Sequence, residues 1–226
     1  EKRRLRLKTK LILLMVAVLI ELALLRLGFW QLNRAQEKQT QQQQASEVLK
    51  KRQTTALQGF DPTSQRIEWA QGELRFLLDP LVLLDNQRRE QEVGVIVYQL
   101  AELSDGQVLL VDLGWLPVPG NRQLPKPRTL EGLLSVQGLL LPPPSKGLAM
   151  GPAFTDQADG TVLLTRFDIK ALSTRLNKSL PERVLRLDPD LPIGFSRDLV
   201  IQVNTLTPEK HRGYAMQWFG LAAAFA

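Results

Sequence analysis

The sequence predicts a membrane α+β protein: two transmembrane helices, one at each end, flanking an antiparallel β-barrel or sandwich-like periplasmic domain. Three observations predict it. A basic stretch, EKRRLRLKTK, runs directly into LILLMVAVLI. A second uncharged stretch, YAMQWFGLAAAFA, begins at Tyr214. Between them, from about Phe60, short apolar runs alternate with Gly, Pro and Asp, the pattern of strands and turns.

The charge is placed unevenly. The chain has 226 residues, with 29 Lys and Arg against 23 Asp and Glu. Six of those bases and one of those acids lie in the first ten residues, so the remainder is nearly neutral, 23 against 22. A nucleic-acid face would spread basic residues, interleaved with aromatics, over the folded body. This distribution argues against one. There are no cysteines, which excludes a disulfide scaffold, a thiolate metal site and a cysteine nucleophile.

Residues 1–10 read as a basic cytoplasmic tail and 11–34 as the first span. As a helix, Leu11 to Leu32 would reach roughly 33 Å, about the thickness of the hydrocarbon layer. A cleaved signal peptide would need small residues in an A-x-A pattern after the apolar run, and none stands there. An uncleaved anchor is therefore expected. The Lys/Arg cluster beside it places the N-terminus in the cytoplasm of a bacterial inner membrane, with the following domain outside. Glu21 falls about 15 Å along that helix, near mid-membrane, where an ionisable group is costly and faces protein or water. Two accounts stay open: compensation by Arg26 on the same helix, or a neighbouring helix that supplies a cation or hydrogen-bond donor.

Residues 35–59, rich in glutamine, read as a polar helical linker, and 60–206 as the β-domain. Runs such as LVLLDN, VGVIVYQLAEL, QVLLVDLGWL, RVLRLD and LVIQVNTL are the expected strands. Ser104-Asp105-Gly106 is a hairpin turn, and DIKALSTRLN is a short helix capped by Asp168. Residues 207–226 read as the start of a second span that continues past the given segment. Thr207 caps it, Pro208 takes its first turn and Glu209 complements the helix dipole. Trp30 and Trp218 are both expected at the outer interface, where indoles settle.

Signals of catalysis are poor, and the chain is expected not to be an enzyme. It has no G-x-S-x-G elbow, P-loop, H-E-x-x-H or dinucleotide fingerprint. Asp188 and Asp190 read as solvated carboxylates of a proline-bounded turn, and Asp112 as a structural loop corner at a strand end. His211, the only histidine, remains. On a helix Tyr214 and Trp218 share its face at i+3 and i+7. The imidazole could serve as the metal ligand, axial to haem iron, with the macrocycle against those aromatics. It could equally anchor the helix end among headgroups.

LGFWQLNR, at the end of the first apolar segment, resembles the Leu-Gly-x-Trp-Gln-x-x-Arg signature of the surfeit-locus (Shy-type) family of cytochrome c oxidase assembly proteins. HRGYAMQWFGLA resembles that family's second-span signature, and LLDNQ and GWLP fall in order between them. The chain departs from the family where it has Asp112 and Leu113 in place of the usual Asn-Arg pair. The resemblance implies assistance to haem-copper oxidase biogenesis, with haem a carried or delivered to the catalytic subunit. It implies haem a binding by His211, with Tyr214, Gln217 and Trp218 as wall. Gly28, Trp30, Gln31 and Arg34 carry the first-span signature. Expected partners are the oxidase catalytic subunit, enzymes of haem a synthesis and membrane lipid. An accessory subunit that stays with the oxidase and binds no haem is the alternative, and a membrane-tethered hydrolase a distant third.

Overall fold

The computed structural model describes residues 2–78, 80–145, 151–200 and 206–225, and of residues 2–7 only the backbone. The chain forms two compact units, one of residues Glu1–Ser46 with Ile201–Ala226, the other Glu47–Val200. The expected strand in LVIQVNTL falls mostly on residues 201–205, outside the described residues.

The first unit contains α3 (Pro208–Phe225) and all but the last five residues of α1 (Lys2–Lys51), a single 50-residue helix. The glutamine-rich segment continues the first helix without a break, because Gln, Glu, Lys and Ala are all good helix formers. Among the described residues α1 is the one helix long and apolar enough to cross a membrane. The described part of α3 does not meet that standard. Its 18 residues begin with Glu209, Lys210, His211 and Arg212, and these outweigh the apolar remainder.

The second unit is built on nine strands: β1 (Thr54–Ala56), β2 (Glu68–Phe76), β3 (Val82–Arg89), β4 (Glu92–Glu102), β5 (Val108–Pro117), β6 (Gly132–Leu141), β7 (Phe154–Asp156), β8 (Val162–Leu164) and β9 (Val184–Leu187). A short helix, α2 (Ile169–Leu176), lies between β8 and β9, and Asp168 caps it by accepting from the Ala171 amide at 3.3 Å. The sheet order is β1-β2-β6-β9-β5-β4-β3-β8-β7. Arg75 and Phe76 of β2 also pair with Glu102 and Ala101 of β4, so the pairings run from β2 through β6, β9, β5 and β4 back to β2.

The expectation of an antiparallel sheet is corrected: the sheet is mixed. β1 runs parallel to β2, β3 to β8 and β5 to β9. Apolar periodicity marks a segment as strand but carries no information on its direction, which the long connections decide. The β4–β5 hairpin does form at Ser104-Asp105-Gly106, where Gly106 takes φ +83° and its amide meets Leu103 O at 3.0 Å.

β4 and β5 are buried on both faces, hence their near-continuous apolar sequence. Val95, Val97, Leu109, Val111 and Leu113 face one core, and Tyr98, Leu100 and Leu110 the other, which Phe167, Ile169 and Leu172 cover.

Two sequence expectations fail here in an instructive way. Asp112 is no loop corner. It lies within β5, is 3% exposed, and pairs with Arg186 of β9 at 2.9 Å while accepting from the Gly114 amide at 3.0 Å. Asp188 is not solvated either: fully buried, it accepts from Gln137 Nε2 at 2.8 Å and faces Arg52 at 3.4 Å, whereas Asp190 is open to solvent. Both partners come from positions far away in sequence, which no local pattern reveals. Between β9 and Val200 the chain has little regular structure, and Arg197 organises it. Its guanidinium donates to the carbonyls of Leu187, Asp188, Leu191, Ile193 and Phe195, at 2.6–3.2 Å.

Burial raises the Asp112 carboxyl above its ordinary 3.8, and Arg186 opposes that rise. Removing the cation leaves a buried carboxyl uncompensated, at a cost of about 3–5 kcal/mol. Its folded pKa then lies still further above the unfolded one, so stability falls as pH rises through the interval between them. Arg186→Leu should therefore be least destabilised near pH 4 and lose stability toward neutrality, and Asp112→Asn in that background should flatten the profile. Denaturant unfolding of the detergent-purified chain at several pH values checks both.

Candidate functional site

In the first unit, α1 and α3 meet along a seam legible in residue spacing. On α1 the positions withdrawn from solvent include Ala17, Glu21, Leu24, Gly28, Gln31, Ala35 and Lys38, at alternating steps of four and three. On α3 they are Pro208, His211, Ala215, Trp218 and Ala222, at steps of three and four. Steps averaging 3.5 residues keep one stripe turned toward a neighbouring helix. The contacts run antiparallel: Arg212 meets Gln39, His211 meets Gln31, and Phe219 meets Gly28 and Phe29.

Gly28 makes room for a ring of the facing helix. A Cβ at that position would lie 2.6 Å from the Phe219 ring. Phe219 in turn packs edge-on against Phe29, with ring centroids 5.2 Å apart. Small residues let helix backbones approach in this way, and Ala215 and Ala222 do the same from α3.

One turn above Gly28, His211 is 8% exposed, and its Nδ1 lies 2.7 Å from Gln31 Oε1. An amide oxygen only accepts, so Nδ1 carries the proton and donates. In the neutral ring the lone pair then sits on Nε2. This is the arrangement found behind metal-bound histidines, in which a hydrogen bond to the far nitrogen fixes tautomer and ring orientation. The backbone supports it from below, where the His211 amide bonds to Thr207 O at 3.1 Å.

The remaining candidates distribute unevenly. Trp218 lies half-buried on the seam, on the same stripe as His211. Tyr214 is turned outward, 43% exposed, and Gln217 is exposed as well. The stripe follows the i+4 step to Ala215 instead of the i+3 step to Tyr214. On a helical wheel Tyr214, Trp218 and Leu221 flank the seam on the side away from Phe219, alongside Leu27, Trp30 and Arg34 of α1. Arg34 holds Glu37 at 2.8 Å and stands 5.9 Å from the Trp30 ring, with Trp30 itself 48% exposed. One flank of the helix pair is thus closed by phenylalanines, and the other is an open aromatic shelf with an imidazole beside it. An exposed ion pair such as Arg34–Glu37 contributes little and exchanges readily for another anion.

Sequence reasoning missed Phe219 and the two alanines, whose signal was the alternation of three and four in each helix. Elsewhere, among the described residues, no group of three His, Asp or Glu side chains is placed to hold a metal. The Glu21–Arg26 account is not supported: no pair forms between them, Arg26 is exposed, and it lies on the opposite side of α1 from the seam.

If close approach at Gly28 holds the pair together, Gly28→Leu should lower thermal stability of the purified chain. Overpacking of this kind costs about 1–3 kcal/mol. Gly28→Ala combined with Phe219→Leu should recover most of it, and thermal unfolding in mild detergent measures both.

A family model described as the SURF1 family matches residues 18–223. That interval includes nearly the whole chain and both helix segments of the seam. No curated protein matches the chain. The chain belongs to the SURF1 family, known for cytochrome oxidase assembly.

Proposed function

We propose that this protein is a membrane-anchored, non-enzymatic haem chaperone that assists delivery of haem a to the catalytic subunit of a haem-copper oxidase. The observation that carries the reading is the His211–Gln31 hydrogen bond at 2.7 Å, which commits Nδ1 and leaves Nε2 as a ligand nitrogen. The donor set fits a single axial ligation: one imidazole, no thiolate and, among the described residues, no carboxylate cluster.

Within this reading His211 holds the iron, and Gln31 orients the ring and keeps its basicity high. Trp218 and Tyr214, with Trp30, supply apolar and aromatic surface for a planar macrocycle. Arg34 is the cation placed to receive a carboxylate of the bound group. When bound, haem a is cargo for the oxidase, and the protein's part is to hold it out of water. Gly28 acts indirectly, by setting how closely the helices stand. Gln217, exposed on α3, is a candidate contact for the partner.

The membrane setting has the same standing. Six Lys or Arg in residues 1–10, ahead of the apolar run, support a cytoplasmic N-terminus in the bacterial inner membrane, with the β-unit in the periplasm. α3 would then be the beginning of a second span. The circuit of pairings through β2, β6, β9, β5 and β4 supports a barrel-like body for that outer unit.

Purification from cells that make haem a should yield a Soret band that His211→Ala abolishes. Gln31→Leu should weaken haem affinity by about 10–100-fold without removing the ligand. A wild-type preparation without haem, or an unchanged Soret band in His211→Ala, overturns the proposal. Haem-free protein found in stoichiometric amount with mature oxidase would instead establish the accessory-subunit reading.

A further inference from the structure

Glu21 has no role in the site above, and its surroundings pose a problem. One carboxyl oxygen, Oε2, is sealed from solvent and has no hydrogen-bond partner among the described residues. Glu21 stands eleven residues beyond Lys10, so it sits about 16 Å along α1, within the apolar segment. A carboxyl at that depth needs a cation or a donor nearby. Among the described residues neither helix supplies one: Arg26 points to the other side of α1, and the bases of α3, Lys210 and Arg212, stand at its first turns.

The helix surface shows where a partner would come from. The seam filled by α3 occupies one stripe of α1. A second stripe runs beside it through Leu14, Val18, Glu21, Leu25 and Leu32, at steps of four, three, four and seven. Leu14 is 62% exposed, Val18 49% and Leu32 41%, and Leu25 is half-buried, so α3 leaves this stripe largely open. Glu21 belongs to both stripes, at the line where they join. Lipid alone would satisfy the apolar members but not the acid among them.

We propose that this second stripe is the docking surface for a transmembrane helix of another protein, one that carries a cationic side chain at the depth of Glu21. A second copy of this chain fits less well. Two copies joined through this stripe about a twofold axis would set Glu21 against Glu21, with like charge where compensation is needed. The inference rests on α1 spanning a membrane and is independent of haem at His211.

The test places a photo-crosslinking amino acid at Leu14 or Val18 in the full chain in native membranes, with Val16, on the opposite side of α1 from the stripe, as control. Leu14 and Val18 should crosslink to one transmembrane segment, which mass spectrometry should show to carry Lys, Arg or His within its apolar stretch; Val16 should give lipid adducts. Glu21→Gln and Glu21→Leu should each reduce that crosslink about tenfold while the Soret band stays as in the parent protein. Leucine is well suited to a lipid-embedded helix, so misfolding would not explain the loss. Crosslinks to lipid only, to a second copy, or to a segment without a cation overturn the proposal, as do yields insensitive to both substitutions. Loss of haem with the crosslink intact would overturn the haem reading alone.

Discussion

The hydrogen bond between His211 and Gln31 joins two stretches 180 residues apart in sequence, and the functional reading depends on it. Without it either ring nitrogen could carry the proton and the ring would be free to turn. With it, one nitrogen is spent on the protein and the other is defined. The bond exists only because the helices stand close enough, and that closeness comes from Gly28 under the Phe219 ring. A glycine two residues before a tryptophan and a histidine three before a tyrosine thus describe one contact between two helices.

Much of this was legible beforehand. The apolar run from Leu11, the capped start at Pro208, the Asp168-capped helix and the strands from Val82 to Leu141 all follow from local periodicity and turn chemistry. So did the singling out of His211, as the only imidazole near an apolar helix. Tyr214, expected on the face of His211, flanks the seam instead of lining it, because i+3 and i+4 are equally good neighbours on an isolated helix. The facing helix decides between them, and it selected Ala215. The parallel pairings of β5 with β9 and of β3 with β8 were invisible for a related reason: a strand's direction is set by the path of the chain between strands.

The buried charges of the β-unit make the same point in energetic terms. Asp112, Asp188 and Arg183 look like ordinary loop or strand-edge polar residues in sequence, yet all three are almost wholly enclosed. Arg183 reaches Glu68 at 3.0 Å and the carbonyl of Leu140 at 3.0 Å. Removing one member of such a pair costs far more than the pair contributes. These residues hold strands in register with one another instead of marking a reactive centre.

Arg197 has a different kind of consequence. It grips five carbonyl groups, and every amino acid brings the same carbonyl. The loop from Pro189 to Ser196 is therefore held by its main chain, beside the packing of Leu191, Ile193 and Phe195 against the core. Other apolar residues can replace those three and still keep its shape, provided the guanidinium stays, with Asp188 and a backbone able to turn as Gly194 does at φ +79°. Low similarity there would be a poor guide to divergence in form.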